Sequence, residues 1–65
     1  MSVTYNKLWK LLIDRKLTKK KLAELSGISQ FTMTRLSKGE TVTTETLEKI
    51  CRVLDVDIGD ICEIE

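Results

Sequence analysis

The residues best suited to chemistry lie on one side of a short predicted helix between Ser29 and Gly39. Met33 and Leu36 form its buried side, because apolar residues three apart share one face of a helix. The other side carries Gln30, Phe31, Thr34, Arg35 and Lys38. Glutamine can pair bidentately with adenine and arginine with guanine, whereas phenylalanine offers only apolar contact to the methyl group of thymine. These side chains suit contacts to nucleobases, and the alternative is a merely solvated polar surface.

Two short helices that meet at Gly27 are predicted to position this surface. Thr18 is the predicted N-cap of the first helix, since its hydroxyl can accept from the N–H groups of the first turn. Gly27 ends that helix, because glycine adopts a positive φ at little cost. Ser29 caps the second helix, which closes at Gly39. Ala23 supplies the small side chain that two steeply crossed helices need where they touch.

Helical periodicity predicts further helices on both sides of this pair. Residues at i, i+3, i+4 and i+7 form an apolar face in a first helix that ends near Lys16: Tyr5, Leu8, Trp9 and Leu12. The same spacing recurs in a fourth helix capped by Thr43 or Thr44: Leu47, Ile50, Cys51 and Leu54. Asp57 is expected to cap a last, single-turn helix, and residues 62–65 alternate as an extended segment does. Ile58 and Ile61 should then cover the core, leaving Ile64, and with it Val56 or Val53, without an internal partner.

Five small or apolar residues of the helix pair occur at characteristic offsets: Ala23, Gly27, Ile28, Met33 and Leu36. In this register the chain resembles the helix-turn-helix of the lambda-repressor and Cro-like (XRE) family of transcriptional regulators. The likeness is tight over about a third of the chain and extends in outline to all of it. It implies an all-α fold, a five-helix lambda-repressor-like DNA-binding domain that occupies residues 1–65, with the helix-turn-helix at about 18–38.

This resemblance also implies which residues touch double-stranded DNA. The recognition helix, about residues 30–38, would enter the major groove with Gln30, Phe31 and Arg35 at base edges and with Ser29 and Lys38 nearer phosphates. Where the family usually has glutamine and then an acidic residue, this chain has Lys19 and Lys20, and Lys19 can replace the glutamine only as a phosphate-binding charge. The predicted DNA-binding residues are Lys19, Lys20, Ser29, Gln30, Phe31, Thr34, Arg35 and Lys38.

The charges are divided unevenly along the chain, although 11 basic and 10 acidic residues leave a net charge of only +1. Residues 1–38 carry nine cations and two anions, a net +7, whereas residues 39–65 carry two cations and eight anions, a net −6. A basic half that contains the helix pair is typical of a surface that binds the phosphate backbone. Ordinary solvated surface charge is the alternative interpretation.

Length and composition exclude several other functions. A chain of 65 residues is expected to form one domain with one small core. The chain has two cysteines and no histidine, which is too few ligands for a structural zinc site. Cys51 is interpreted as a core residue and not as half of a disulfide. Without a glycine-rich phosphate loop or a nucleophile and base, we expect no enzymatic activity, metal or cofactor. No apolar run approaches the roughly 20 residues that cross a bilayer, so a cytoplasmic location is expected.

The sequence therefore predicts a sequence-specific regulator of transcription that binds double-stranded DNA. One recognition helix reads few base pairs, so we expect a homodimer, paired through the C-terminal region, that reads half-sites about 34 Å apart. The alternative is a protein-interaction module, such as an antitoxin or an adaptor of a larger regulator, with the acidic half as its docking surface. No membrane association and no small-molecule effector is indicated.

Overall fold

Four α-helices make up most of the computed structural model, which describes residues 3–65. They are α1 (Asn6–Asp14), α2 (Lys19–Ser26), α3 (Gln30–Ser37) and α4 (Thr44–Leu54). A 3₁₀ turn follows at Ile58–Asp60. Strands β1 (Val3–Thr4) and β2 (Glu63–Ile64) pair antiparallel, with Val3 opposite Ile64 and Thr4 opposite Glu63.

The predicted count of five helices is wrong, and the fold is not purely α-helical. The fifth helix is a single 3₁₀ turn, closed by the N–H of Asp60, which donates to Asp57 O at 2.9 Å. The N–H of Asp57 donates in return to Asp60 Oδ2 at 3.0 Å and caps the turn. Gly59, a poor helix former, lies in the middle of this turn and does not favour a longer helix. The extended segment predicted at residues 62–65 is confirmed at Glu63–Ile64, where it forms β2. Its partner β1 is two residues long, too short to show a periodicity.

Hydroxyl side chains cap α2, α3 and α4 at the predicted positions, whereas α1 begins after Tyr5 without a side-chain cap. Thr18 Oγ1 accepts from the N–H of Lys21 at 3.0 Å, and Ser29 Oγ accepts from the N–H of Thr32 at 3.1 Å. Each bond satisfies one of the N–H groups that the start of a helix leaves without an intrahelical partner. Of the two threonines that could cap α4, Thr43 is the one that does so.

Residues in the left-handed conformation end the helices. Gly27 has φ 76° after α2, and its N–H donates to Ala23 O at 2.9 Å, as the sequence predicted. Gly39 has φ 77° just beyond α3. The first helix ends at Asp14, two residues before the predicted end at Lys16, because Lys16 itself takes the left-handed conformation with φ 57°.

Within residues 3–65 the core consists of eleven buried apolar side chains, to which all four α-helices contribute: Tyr5, Leu8, Leu12, Leu22, Ala23, Met33, Leu36, Ile50, Cys51, Leu54 and Ile61. The predicted inner faces of α1 and α4 are confirmed, with Trp9 and Leu47 partly buried at the edge of this cluster. Cys51 and Cys62 are free thiols, and Cys51 lies in the core as predicted.

One predicted core position is wrong. Ile61 is fully buried, but Ile58 remains 41% exposed, because the single 3₁₀ turn seats only one of the two isoleucines in the core. Ile64 is 74% exposed, in agreement with the prediction that it finds no partner within the chain. Val53 and Val56, in contrast, are partly buried against the core, so the prediction that one of them lacks an internal partner is wrong.

Replacing Gly27 by valine should destabilise the fold through the backbone alone. A Cβ added at Gly27 would meet no atom within 4 Å, so any loss reflects the left-handed φ and not a steric clash. We expect Gly27→Val to lower the free energy of unfolding by about 1 to 3 kcal/mol in urea denaturation. Gly59→Val is the matched control, since Gly59 has equal space without a positive φ, and it should cost less than about 1 kcal/mol. Equal losses at the two glycines would contradict the role assigned to the turn.

The fold should lose stability in alkaline solution. Burial raises the pKa of the Tyr5 phenol above its ordinary value of 10.0 and the pKa of the Cys51 thiol above its ordinary value of 9.0. Both groups therefore release protons more readily in the unfolded chain, so stability is complete below these ordinary values and falls as the pH rises above about 9. Urea denaturation across this range should show the fall. Cys51→Ala should make it shallower between about pH 9 and 10, and an unchanged slope would exclude the thiol as a contributor.

Candidate nucleic-acid interface

The outer face of α3 is formed by residues that make few contacts with the rest of the chain. Gln30, Phe31 and Thr34 are exposed, opposite the buried Met33 and Leu36. Phe31 is 71% exposed, which leaves a large apolar ring in water on the helix that the sequence analysis identified as the recognition helix. The predicted assignment of inner and outer faces of α3 is therefore confirmed.

The polar groups on this face differ in how far the protein already uses them. Ser29 Oγ serves as the N-cap, and Thr34 Oγ1 donates to the backbone oxygen of Gln30 at 2.9 Å. Within residues 3–65 the side-chain amide of Gln30 makes no hydrogen bond, so both its donor and its acceptor are available. Gln30 is thus the polar group of the outer face whose hydrogen-bonding capacity the fold leaves open.

Arg35 lies at the edge of α3 that faces the loop to α4. Its Nη2 donates to the backbone oxygen of Thr41 at 3.1 Å, and its Nε lies 3.6 Å from Glu40 Oε1. The guanidinium carbon is 6.0 Å from the centroid of the Phe31 ring. Glu40 was not predicted as a partner of Arg35, because only the left-handed turn at Gly39 brings the chain back toward α3.

Lys19 connects three helices instead of projecting freely into solvent. Its Nζ donates to Ser37 Oγ at 3.1 Å, at the end of α3. The same ammonium lies 4.4 Å from the centroid of the Trp9 ring on α1, within cation–π range. This contact was not predicted, since no local pattern reports which side chains meet across helices. The predicted role of Lys19 at a phosphate stays a prediction, and Lys19 also has a structural role.

Most cations of the basic half remain unneutralised. Lys7 pairs with Glu63 at 4.0 Å, and Arg35 pairs with Glu40 at 3.6 Å. Lys49 and Arg52, the two cations of the acidic half, pair with glutamates on their own helix. Seven cations form no ion pair among the residues that the structure describes: Lys10, Arg15, Lys16, Lys19, Lys20, Lys21 and Lys38. Residues 1–38 therefore retain a positive field around the helix pair.

The structure has two capped helices that are joined by a left-handed glycine. The second helix exposes a polar face, and unpaired cations surround the pair. These features define a helix-turn-helix DNA-binding domain. The chain belongs to the family of the Cro/C1-type HTH DNA-binding domain, whose family model matches residues 7–65. This confirms the lambda-repressor and Cro-like family that the sequence indicated.

A solved structure agrees with this assignment. The crystal structure of the transcriptional regulator VanUg is similar to this chain with a TM-score of 0.92 and 50% sequence identity. The match covers 95% of this chain and 83% of that one. No curated protein matches the chain.

Within residues 3–65, no helix has both the length and the apolar character that a membrane span requires. No three cysteine, aspartate or glutamate side chains of those residues are grouped so that they could hold a metal ion.

Replacing Lys19 by alanine should weaken the fold, because it removes the contacts to Ser37 and Trp9 together. We expect the free energy of unfolding in urea to fall by about 0.5 to 1.5 kcal/mol. Lys20→Ala is the matched control, since it removes the same charge from the next residue, which is exposed and forms no ion pair in residues 3–65. Lys20→Ala should change stability by less than about 0.5 kcal/mol. Identical results for both variants would mean that Lys19 contributes only its charge.

Proposed function

We propose that this protein is a sequence-specific regulator of transcription that places α3 in the major groove of double-stranded DNA. The observation that carries the proposal is the outer face of α3, where the Gln30 amide is unused and the Phe31 ring is exposed. An apolar ring held in water has a reason to be there if it meets the methyl group of thymine. The similarity of the chain to the transcriptional regulator VanUg supports a role in regulation.

Base recognition and phosphate binding fall to different residues in this proposal. Gln30 would pair with adenine and Arg35 with guanine, each through two hydrogen bonds. Lys20, Lys38 and the cap Ser29 would contact phosphates, which fix the register without reading sequence. Each phosphate neutralised contributes about 0.9 to the slope of log affinity against log salt concentration. The protein would bind DNA without catalysing a reaction on it.

A symmetric homodimer would give this small domain enough specificity to find its site. Ile64 is highly exposed on β2, and Ile58, six positions earlier, is partly exposed, so the C-terminal region offers apolar side chains for pairing. Glu63 and Glu65 carry like charges that oppose this pairing, although Lys7 lies 4.0 Å from Glu63 and offsets part of the repulsion. Such a dimer would be weak in solution and assembled mainly on DNA.

Selection of duplexes from a randomised DNA pool by the purified protein tests the proposal. We expect a two-fold symmetric sequence with half-sites about 34 Å apart, centre to centre. Gln30→Ala should weaken binding to the selected duplex by about 1 to 3 kcal/mol, because two hydrogen bonds to a base are lost. It should leave binding to a scrambled duplex unchanged.

Two controls accompany this experiment. Glu48→Gln changes a polar residue of α4 in the acidic half and should not alter binding to either duplex. The double variant Lys20→Ala with Lys38→Ala should weaken binding to both duplexes equally. It should also reduce the slope of log affinity against log salt concentration by about one to two units. If the protein selects no sequence but binds a protein partner tightly, the interaction module is the correct interpretation.

A further inference from the structure

Arg35 differs from the other predicted base-reading residues because the chain itself already holds its charged group. The guanidinium has a side edge, formed by Nε–H and one N–H of Nη2, and an end formed by the remaining N–H groups. The contacts observed here involve the two nitrogens of the side edge: Nη2 donates to Thr41 O at 3.1 Å, and Nε lies 3.6 Å from Glu40 Oε1. Nε is inaccessible to solvent and has no hydrogen-bond partner among the described residues, so Glu40 is the group that compensates it.

Glu40 is itself fixed by backbone contacts on both sides. Its N–H donates to Arg35 O at 3.0 Å, which ties it to the last turns of α3. Its carbonyl oxygen accepts from Tyr5 Oη at 3.1 Å, and Tyr5 is a core residue only 3% exposed. The residue that faces the Arg35 side edge is therefore anchored to the core of the domain before any ligand arrives.

An acidic side chain directly after a DNA-binding helix repels phosphates, so its presence calls for a compensating gain. The compensating gain is a loss of disorder before binding: fixing an arginine side chain costs rotamer entropy, and a side chain fixed in advance does not lose that entropy when DNA binds. The contacts to Glu40 and Thr41 leave the end of the guanidinium available. This end offers two parallel N–H groups that can donate to the O6 and N7 of guanine.

We propose, on the basis of the function proposed above, that Glu40 is a positioning residue that orients Arg35 for end-on reading of a base. It contacts no DNA itself and acts through the guanidinium. Removing its charge should then weaken specific binding, whereas the loss of a repulsive charge alone would strengthen binding to every duplex. The two explanations predict opposite signs.

The test compares binding of Glu40→Gln to two probes: the duplex that the parent protein selects from a randomised pool, and a scrambled duplex of equal length. We expect binding to the selected duplex to weaken by about tenfold and binding to the scrambled duplex to strengthen slightly. Glu40→Asp keeps the charge but shortens the side chain, and a positioning role predicts a loss on the selected duplex here too. In an Arg35→Ala background, Glu40→Gln should cause no further loss.

Glu48→Gln is the matched control, because Glu48 also pairs with an arginine but lies on α4 in the acidic half. It should leave both affinities unchanged, and melting temperatures of all variants show whether each remains folded. Unchanged or tighter binding of Glu40→Gln to the selected duplex overturns the positioning role and leaves the proposed function intact. An equal loss in the Arg35→Ala background overturns it as well. A parent protein that selects no sequence refutes the proposed function, and the role of Glu40 falls with it.

Discussion

The left-handed backbone at Gly27 is the constraint on which the rest of this domain depends. It ends α2 and turns the chain so that Ser29 can cap a new helix only two residues later. Because α3 starts there, Met33 and Leu36 face the same core as Leu22 and Ala23 of α2. The outer face of α3 then projects into solvent as a consequence of how its inner face is buried. In so small a chain, one backbone angle fixes both the packing and the exposed surface.

Electrostatics and packing are separated in this molecule with little overlap. The core side chains of the described residues are apolar apart from the Tyr5 hydroxyl, which donates to Glu40 O, so burial of apolar surface is the main force that holds the core. The cations of the acidic half are bound in ion pairs along α4, which leaves that half strongly negative. The cations around the helix pair mostly lack such partners. The surface therefore has a basic side and an acidic side, and no charged residue has to be buried in the core to produce them.

Features that follow from local chemistry could be predicted from the sequence. The helix caps at Thr18 and Ser29 and the left-handed turn at Gly27 occur at the predicted positions, because caps and such turns involve residues only a few positions apart. The apolar faces of α1 and α4 followed from periodicity for the same reason. Together these signals were enough to identify the family.

Features that depend on contacts between distant residues could not be predicted. The ammonium of Lys19 meets Trp9 and Ser37, 10 and 18 positions away, and no pattern along the chain records that meeting. The burial of Ile61 in preference to Ile58 depends on how one short turn seats against the finished core. The partner of Arg35 was missed because Glu40 follows a change of chain direction at Gly39.

The pairing of β1 with β2 joins the two ends of the described chain, since Val3 lies opposite Ile64. Closing a loop of nearly the whole chain loses more conformational entropy than any other contact in the fold, whereas each helix forms from neighbours. The strand pair should therefore form last as the protein folds and open first as it unfolds. The same pairing holds Val3 and Ile64 side by side, so a group attached close to one of these residues would lie beside the other.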